Sequence, residues 1–95
     1  MNAALEAAQA YGVDVVFADL GDWGATELRS EYDPSVPQIR INERVPMRDD
    51  LIALCIYHEL YHHREAIGEV RRQGSRRARE AAADAFARAQ MLRTR

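Results

Sequence analysis

Lysine is the most conspicuous absence from this 95-residue sequence, since all 13 basic residues are arginine. Cysteine occurs once, at Cys55, which excludes an internal disulfide as a stabilising element. Long apolar runs are also missing. None approaches the roughly 20 residues that span a bilayer, and the first residues lack the positive start and apolar block of a signal peptide. We therefore expect a cytoplasmic protein with no membrane partner.

The overall composition excludes several non-globular classes. With 47% hydrophobic and 29% charged residues, the chain is not a disordered tail, a collagen-like repeat or a low-complexity linker. Its length gives room for one modest core, so we expect a single domain over residues 1–95. A core of this size has little stability to spare, and we expect something besides burial to help hold it together.

Charge is distributed unevenly along the chain. Residues 1–33 hold seven acidic residues and one arginine, a net charge of −6, whereas residues 34–95 hold eight acidic residues and twelve arginines, a net charge of +4. The densest basic run, residues 71–79, is expected to be a solvated connector, with the docking of an acidic partner or nucleic acid as the alternative. Nucleic acid is the less expected partner, because the sequence pI is about 5.9 and few aromatic residues interleave with the arginines.

Hydrophobic patterning predicts a mixture of strands and helices. In the first half it predicts a helix over residues 2–11 with Asn2 as N-cap and Gly12 as stop, then strands over 13–18, 25–32 and Gln38–Asn42. In the second half it predicts a helix over residues 51–67, capped near Asp49 or Asp50, and a helix from the N-cap Ser75 to about Leu92. This last helix has a narrow alanine face formed by Ala78, Ala81, Ala82, Ala85 and Ala89.

The predicted helix over residues 51–67 contains the motif HExxH, made by His58, Glu59 and His62. Residues four apart lie one above the other on a helix, so both imidazoles can reach one ion. Glu59 projects about 100° around the axis from His58, where it can hold and deprotonate a metal-bound water. Two imidazoles and a carboxylate suit zinc, and a catalytic zinc keeps one position open for water. We therefore predict one Zn2+ ion bound by His58 and His62, with Glu59 as the catalytic base.

A third ligand is available in an ExxxD pattern on the predicted C-terminal helix. Glu80 and Asp84 lie four residues apart and share one face, flanked by alanines that allow close packing. Glu80 is the predicted zinc ligand, with Asp84 orienting a ligand histidine. The opposite assignment, with Asp84 on zinc and Glu80 behind it, stays open.

Five other side chains each have two interpretations. His63 is expected to point off the metal face toward solvent or a loop, with a contact to substrate or oxyanion as the alternative. Tyr57 and Tyr61 are both candidates for hydrogen bonding a tetrahedral intermediate, but Tyr57 is expected to pack in the core instead. Cys55 is expected to be a small core residue rather than a metal ligand or redox group. Trp23, in a glycine-rich loop, is expected to fill the core rather than form a binding hot spot.

Four segments, taken in order, carry a family resemblance: GVDV at residues 12–15, IRIN at 39–42, HELYH at 58–62 and EAAADAFA at 80–87. With these segments the chain resembles the ImmA/IrrE family of small gluzincin metallopeptidases. The resemblance implies an α+β, minimal zincin-like core, with a short twisted sheet of about three strands packed on the HExxH helix and the ligand helix behind it. Family members usually have glycine where Tyr61 stands, so a tyrosine there is expected to narrow the cleft.

These features predict a zinc-dependent metalloendopeptidase that hydrolyses peptide bonds of a protein substrate. The substrate is expected to lie extended along an edge strand, which we assign to Gln38–Asn42. By resemblance, that substrate is a transcriptional repressor. The alternative is a catalytically inactive zincin-fold module that binds a regulatory partner.

Overall fold

Three helices and a three-stranded mixed sheet make up the computed structural model, which describes residues 1–94. The predicted α+β class is therefore confirmed. The elements, in chain order, are α1 (Asn2–Ala10), β1 (Asp14–Ala18), β2 (Ser30–Asp33), β3 (Gln38–Asn42), α2 (Asp49–Ala66) and α3 (Arg76–Arg93). None of the helices in this part of the chain combines the length and hydropathy needed to cross a membrane.

The alternating segment Gln38–Asn42 forms the central strand of the sheet. β3 pairs in parallel with β1 and antiparallel with β2, in the order β1-β3-β2. Its alternation places Ile39 and Ile41 on the buried face, where both are almost fully inaccessible. The predicted strand is confirmed, but its assignment as an edge strand is wrong, because both of its sides are paired. Alternation reports which faces of a strand are buried and carries no information about its neighbours.

The segment predicted as the second strand is mostly a loop. β2 is confined to Ser30–Asp33, whereas residues 25–29 lie in a largely exposed connection. The buried side chain of Asn42, at the end of β3, organises this connection: its Nδ2 donates to the carbonyls of Gly21 and Leu28, at 3.0 and 2.8 Å. Trp23 is 56% exposed, so its predicted place in the core is wrong.

Helix ends follow the sequence prediction in part. Ser75 is the N-cap of α3, and its hydroxyl accepts a hydrogen bond from the backbone N–H of Ala78 at 3.1 Å. Asn2, Asp49 and Asp50 were predicted as caps and instead lie inside the first turns of α1 and α2. The two aspartates stabilise α2 there through its positive end rather than by capping.

The core lies between the sheet and the helices, with α3 packed on the far side of α2. Ile56 and Leu60 of α2 are fully buried in the main hydrophobic cluster. In α3 the fully buried alanines are Ala83 and Ala87, which differ from the predicted narrow face. Their small side chains let α3 approach α2 closely, and this approach brings Glu80 and Asp84 of α3 to His58 of α2.

Candidate metal centre

Side chains of α2 and α3 converge where the two helices pack against each other. His58 and His62 lie one turn apart on α2, and their Nε2 atoms are 3.3 Å apart. Glu80 of α3 faces both rings: its Oε2 is 2.7 Å from His58 Nε2, and its Oε1 is 3.5 Å from His62 Nε2. The structure therefore brings together the three residues that the sequence proposed as ligands.

Asp84 lies on the opposite side of the His58 ring from this point of convergence. Its Oδ1 is 2.8 Å from His58 Nδ1. A carboxylate oxygen only accepts hydrogen bonds, so Asp84 would hold a proton on Nδ1 and leave Nε2, which faces Glu80 and His62, as the ring nitrogen that could bind a cation. Of the two assignments left open by the sequence, this geometry favours Glu80 as the ligand and Asp84 as the residue that orients His58.

His62 is oriented in the same way by Glu65, a residue that the sequence prediction missed. Glu65 Oε1 is 2.7 Å from His62 Nδ1, and a guanidinium nitrogen of Arg79 lies 3.2 Å from the same oxygen. Burial alone would raise the pKa of Glu65, but the hydrogen bonds from His62 and Arg79 outweigh it and hold the pKa below its ordinary value. The sequence did contain a signal for Glu65, since it lies three residues after His62 and residues three apart on a helix are neighbours.

In the pair formed by Glu65 and Arg79, Glu65 is buried and Arg79 is half-buried, and each has an atom without a hydrogen-bond partner among the described residues. The Glu65 side chain is only 2% exposed, and neither its Oε2 nor Arg79 Nε has a hydrogen-bond partner among the described residues. Such a pair contributes little net stability, since desolvation offsets most of the attraction. Its evident effect is to fix the ring of His62 against α3.

Glu59 lies at the floor of the site and is almost completely buried. Its Oε2 accepts a hydrogen bond of 2.7 Å from the hydroxyl of Ser30, at the start of β2. Burial raises the pKa of the Glu59 carboxyl, against the lowering effects of Ser30 and of the two neighbouring histidines. A carboxylate with a raised pKa is better suited to accept and return a proton. No sequence motif pointed to Ser30.

The donor set fits a divalent cation. His58, Glu59 and His62 offer ligand atoms that all lie within 4.8 Å of one another. The 3.3 Å between the two Nε2 atoms matches the spacing of about 3.3–3.4 Å expected for two nitrogens that each lie about 2.0–2.1 Å from one tetrahedral zinc. Both imidazoles also have the carboxylate partner on Nδ1 that is typical of zinc-ligating histidines. Because Ser30 already holds Glu59, Glu80 is the more suitable third ligand.

These residues lie along an open cavity of about 1220 Å³, which we call the cleft. α2 forms its floor. β2 and the loop before it form one wall. The other wall is formed by residues between 72 and 84, which belong to the connector between α2 and α3 and to α3 itself. The cleft is lined by six carboxylates and four guanidiniums, so a divalent cation would bring its formal charge to zero.

His63 and Tyr61 lie outside the cleft. His63 is only 5% exposed, so its predicted orientation toward solvent or a loop is wrong. Its Nδ1 is 2.7 Å from the Tyr32 hydroxyl, and the edge-on ring of Tyr11 packs beside it. Burial lowers the pKa of His63 and favours the neutral ring. Tyr61 packs on Phe86 of α3, with ring centroids 5.5 Å apart. Neither Tyr61 nor His63 lines the cleft, so neither is placed to contact a substrate or an oxyanion.

Cys55 and Tyr57 are both core residues, as predicted. Tyr57 is 3% exposed and packs edge-on against Phe86. Cys55 is buried beside Ser30 and Glu59 and reaches the floor of the cleft. Burial raises the pKa of the Cys55 thiol, which keeps it in the unreactive protonated form.

No protein-family model, curated protein or solved structure matches this chain. The resemblance to the ImmA/IrrE family therefore depends on the four sequence segments and stays a prediction.

Proposed function

We propose that this protein is a zinc-dependent endopeptidase of the ImmA/IrrE type. The observation that carries the proposal is the convergence of His58 Nε2, His62 Nε2 and the Glu80 carboxylate beside the buried Glu59, in a cleft open to solvent. In this assignment the two histidines and Glu80 hold the ion, while Asp84 and Glu65 orient the rings. Zinc, when bound, would activate a water molecule and polarise the peptide carbonyl.

Glu59 is the proton carrier in this proposal. Ser30 donates to one of its oxygens only, Oε2, and thereby fixes the orientation of the carboxylate beside the two histidines. The raised pKa of Glu59 favours uptake of a proton from water and its return to the leaving amine. The low accessibility of Glu59 keeps bulk water from competing for that proton.

The substrate is proposed to bind along β2. This strand is at the edge of the sheet, and its residues Ser30–Tyr32 line the cleft. An unpaired strand edge offers a row of backbone donors and acceptors that an extended peptide can pair with. β2 therefore replaces the central strand β3 as the proposed binding edge.

The proposal is tested by replacing Glu59 with glutamine. Because the imidazoles and Glu80 are untouched, Glu59→Gln should keep one zinc per chain. Cleavage of a peptide library should fall by about 10²–10⁴-fold, the usual contribution of a positioned general base. Metal content is measured by elemental analysis and cleavage by mass spectrometry of the products. Unchanged cleavage by this variant would contradict the mechanism.

A tyrosine at position 61 that narrowed the cleft would favour the alternative of a catalytically inactive binding module. Because Tyr61 packs against Phe86, it leaves the cleft open, and that reason for the alternative is removed. The binding module would be the better description if zinc-loaded wild-type protein cleaved no peptide in a diverse library.

A further inference from the structure

The three elements around the cleft run in defined directions. Ser30 contacts Glu59 and Tyr32 contacts His63, so β2 runs in the same direction as α2. Arg79 contacts Glu65 near the end of α2, while Asp84 contacts His58 one turn or more earlier, so α3 runs in the opposite direction. The connector and the first turn of α3 therefore lie at the C-terminal end of α2.

The two ends of the cleft differ in chemistry. Near the start of α2 the floor of the cleft is apolar, formed by Leu51 and Leu54. At the other end, beside Ala66, the wall is formed by Arg72 and Arg76. The zinc-binding residues that we propose lie between these two ends.

Among the guanidiniums that line the cleft, Arg72 and Arg76 are the two without a carboxylate partner among the described residues. Every carboxylate that lines it has a hydrogen-bond or ion-pair partner, and Arg79 is held by Glu65. The partnered carboxylates are Glu27, Glu31, Glu59, Glu65, Glu80 and Asp84. Neither Arg72 nor Arg76 has a carboxylate within 4.0 Å in the part of the chain that the structure describes. Both side chains are exposed and free to meet an anion.

We propose that Arg72 and Arg76 recognise an acidic side chain of the bound peptide. A guanidinium binds a carboxylate through two parallel hydrogen bonds, which gives direction as well as charge complementarity. The apolar end selects a hydrophobic side chain on the other side of the cleaved bond. This inference depends on the proposed peptidase function and adds the substrate class to it: extended peptides with an acidic residue on one side and an apolar residue on the other.

The spacing of residues on α3 sets an expected distance between the acidic residue and the cleaved bond. Arg76 lies four residues before Glu80 on α3, which corresponds to about 6 Å along the helix axis. An extended peptide advances about 3.3 Å per residue, so the acidic side chain should lie about two residues from the bond that is cleaved.

The first test uses cleavage of a randomised decapeptide library by zinc-loaded wild-type protein. Glutamate or aspartate should be enriched about two residues from the cleavage site, on one side only. For a matched peptide pair with glutamate or glutamine there, kcat/KM should favour glutamate by about five- to tenfold, the range expected for two partly exposed ion pairs. Arg72→Glu with Arg76→Glu should abolish or reverse this preference.

The chain supplies a matched control for that double variant. Arg71 and Arg77 lie in the same connector and first turn of α3, are exposed, and do not line the cleft. Arg71→Glu with Arg77→Glu makes the same change in net charge and should leave the glutamate preference unchanged. An equal loss in both double variants would overturn the proposal, because it would indicate general attraction of polyanions. The proposal would also be overturned if single-stranded DNA inhibited peptide cleavage by the wild-type protein and this inhibition weakened equally in both double variants.

A binding measurement separates failure of this inference from failure of the peptidase function. The glutamate and glutamine peptides, labelled with fluorescein, are titrated with the zinc-loaded Glu59→Gln variant and followed by fluorescence anisotropy. Tighter binding of the glutamate peptide, lost on changing Arg72 and Arg76, would support acid recognition even if wild-type protein cleaved nothing. Cleavage without any preference for acidic residues would overturn the inference and leave the peptidase function standing.

Discussion

The two long sides of α2 differ sharply in what they contact. One side faces the cleft and α3, and on it His58 and His62 meet carboxylates at both ring nitrogens. The other side faces the sheet, where Ile56 and Leu60 fill the core. A single helix thus separates an acidic site in an open cleft from an apolar interior by no more than its own width.

His62 and His63 show this difference between neighbouring residues. His62 has carboxylates around its ring, from Glu65 and Glu80. His63, rotated by about 100° on the helix, contacts the hydroxyl of Tyr32 and the ring of Tyr11. The same side chain is therefore suited to an ion in one case and to the core in the other. Its role is decided by the neighbours that the fold supplies.

The largest effect that would test this comparison is loss of metal on changing His62. Binding free energies of about 10–16 kcal/mol are shared among four ligands in structural zinc sites, so His62→Ala should weaken zinc binding by about 50–1000-fold. His63→Ala should leave zinc affinity within about twofold but lower the free energy of unfolding by about 2–4 kcal/mol. Zinc titration and urea denaturation measure the two effects. If His62→Ala and His63→Ala lost zinc affinity equally, the proposed difference between the two sides of α2 would be contradicted.

Removal of zinc should have the next largest effect, because its proposed ligands come from two helices. Binding to the folded state alone stabilises it by about 3–4 kcal/mol when free zinc is a few hundred to a thousand times Kd. A chelator should therefore lower the melting temperature of wild-type protein and leave that of His62→Ala unchanged. A melting temperature that does not respond to chelator in the wild type would count against the metal site.

A smaller effect is expected from the residue that orients His62. Glu65→Gln removes the negative charge opposite His62 Nδ1 and Arg79, and should weaken zinc binding by about 10–100-fold. Glu69→Gln is the matched control, since Glu69 contacts Tyr11 and Arg64 away from the cleft. Similar zinc affinities for the two variants would show that Glu65 has no part in the site.

The smallest effect concerns the hydroxyl that contacts His63. Tyr32→Phe leaves the buried His63 Nδ1 without its partner and should lower the free energy of unfolding by about 1–2 kcal/mol. Zinc affinity should be unchanged, because His63 lies off the metal face. A loss of zinc binding in this variant would show that the two sides of α2 are coupled.

Some of the fold and of the site could be predicted because it depends on local spacing. Three features could be predicted from residues that are close in sequence. They are the four-residue spacing of His58 and His62, the capping hydroxyl of Ser75 and the alternation of polar and apolar residues in Gln38–Asn42. The edge assignment of β3 and the alanine face of α3 were not. Alanines lie on several faces of α3, so the sequence does not indicate which of these faces is buried.

The sequence by itself determined that α2 carries two histidines able to share an ion, and that Glu80 and Asp84 share one face of another helix. These are consequences of helical geometry and need no tertiary contact. Only the tertiary structure decided that Glu80 faces both Nε2 atoms, that Glu65 orients His62, that His63 is in the core and that β2 borders the cleft. Each of these depends on how segments distant in sequence pack together, and packing chooses among faces that look equivalent in the sequence.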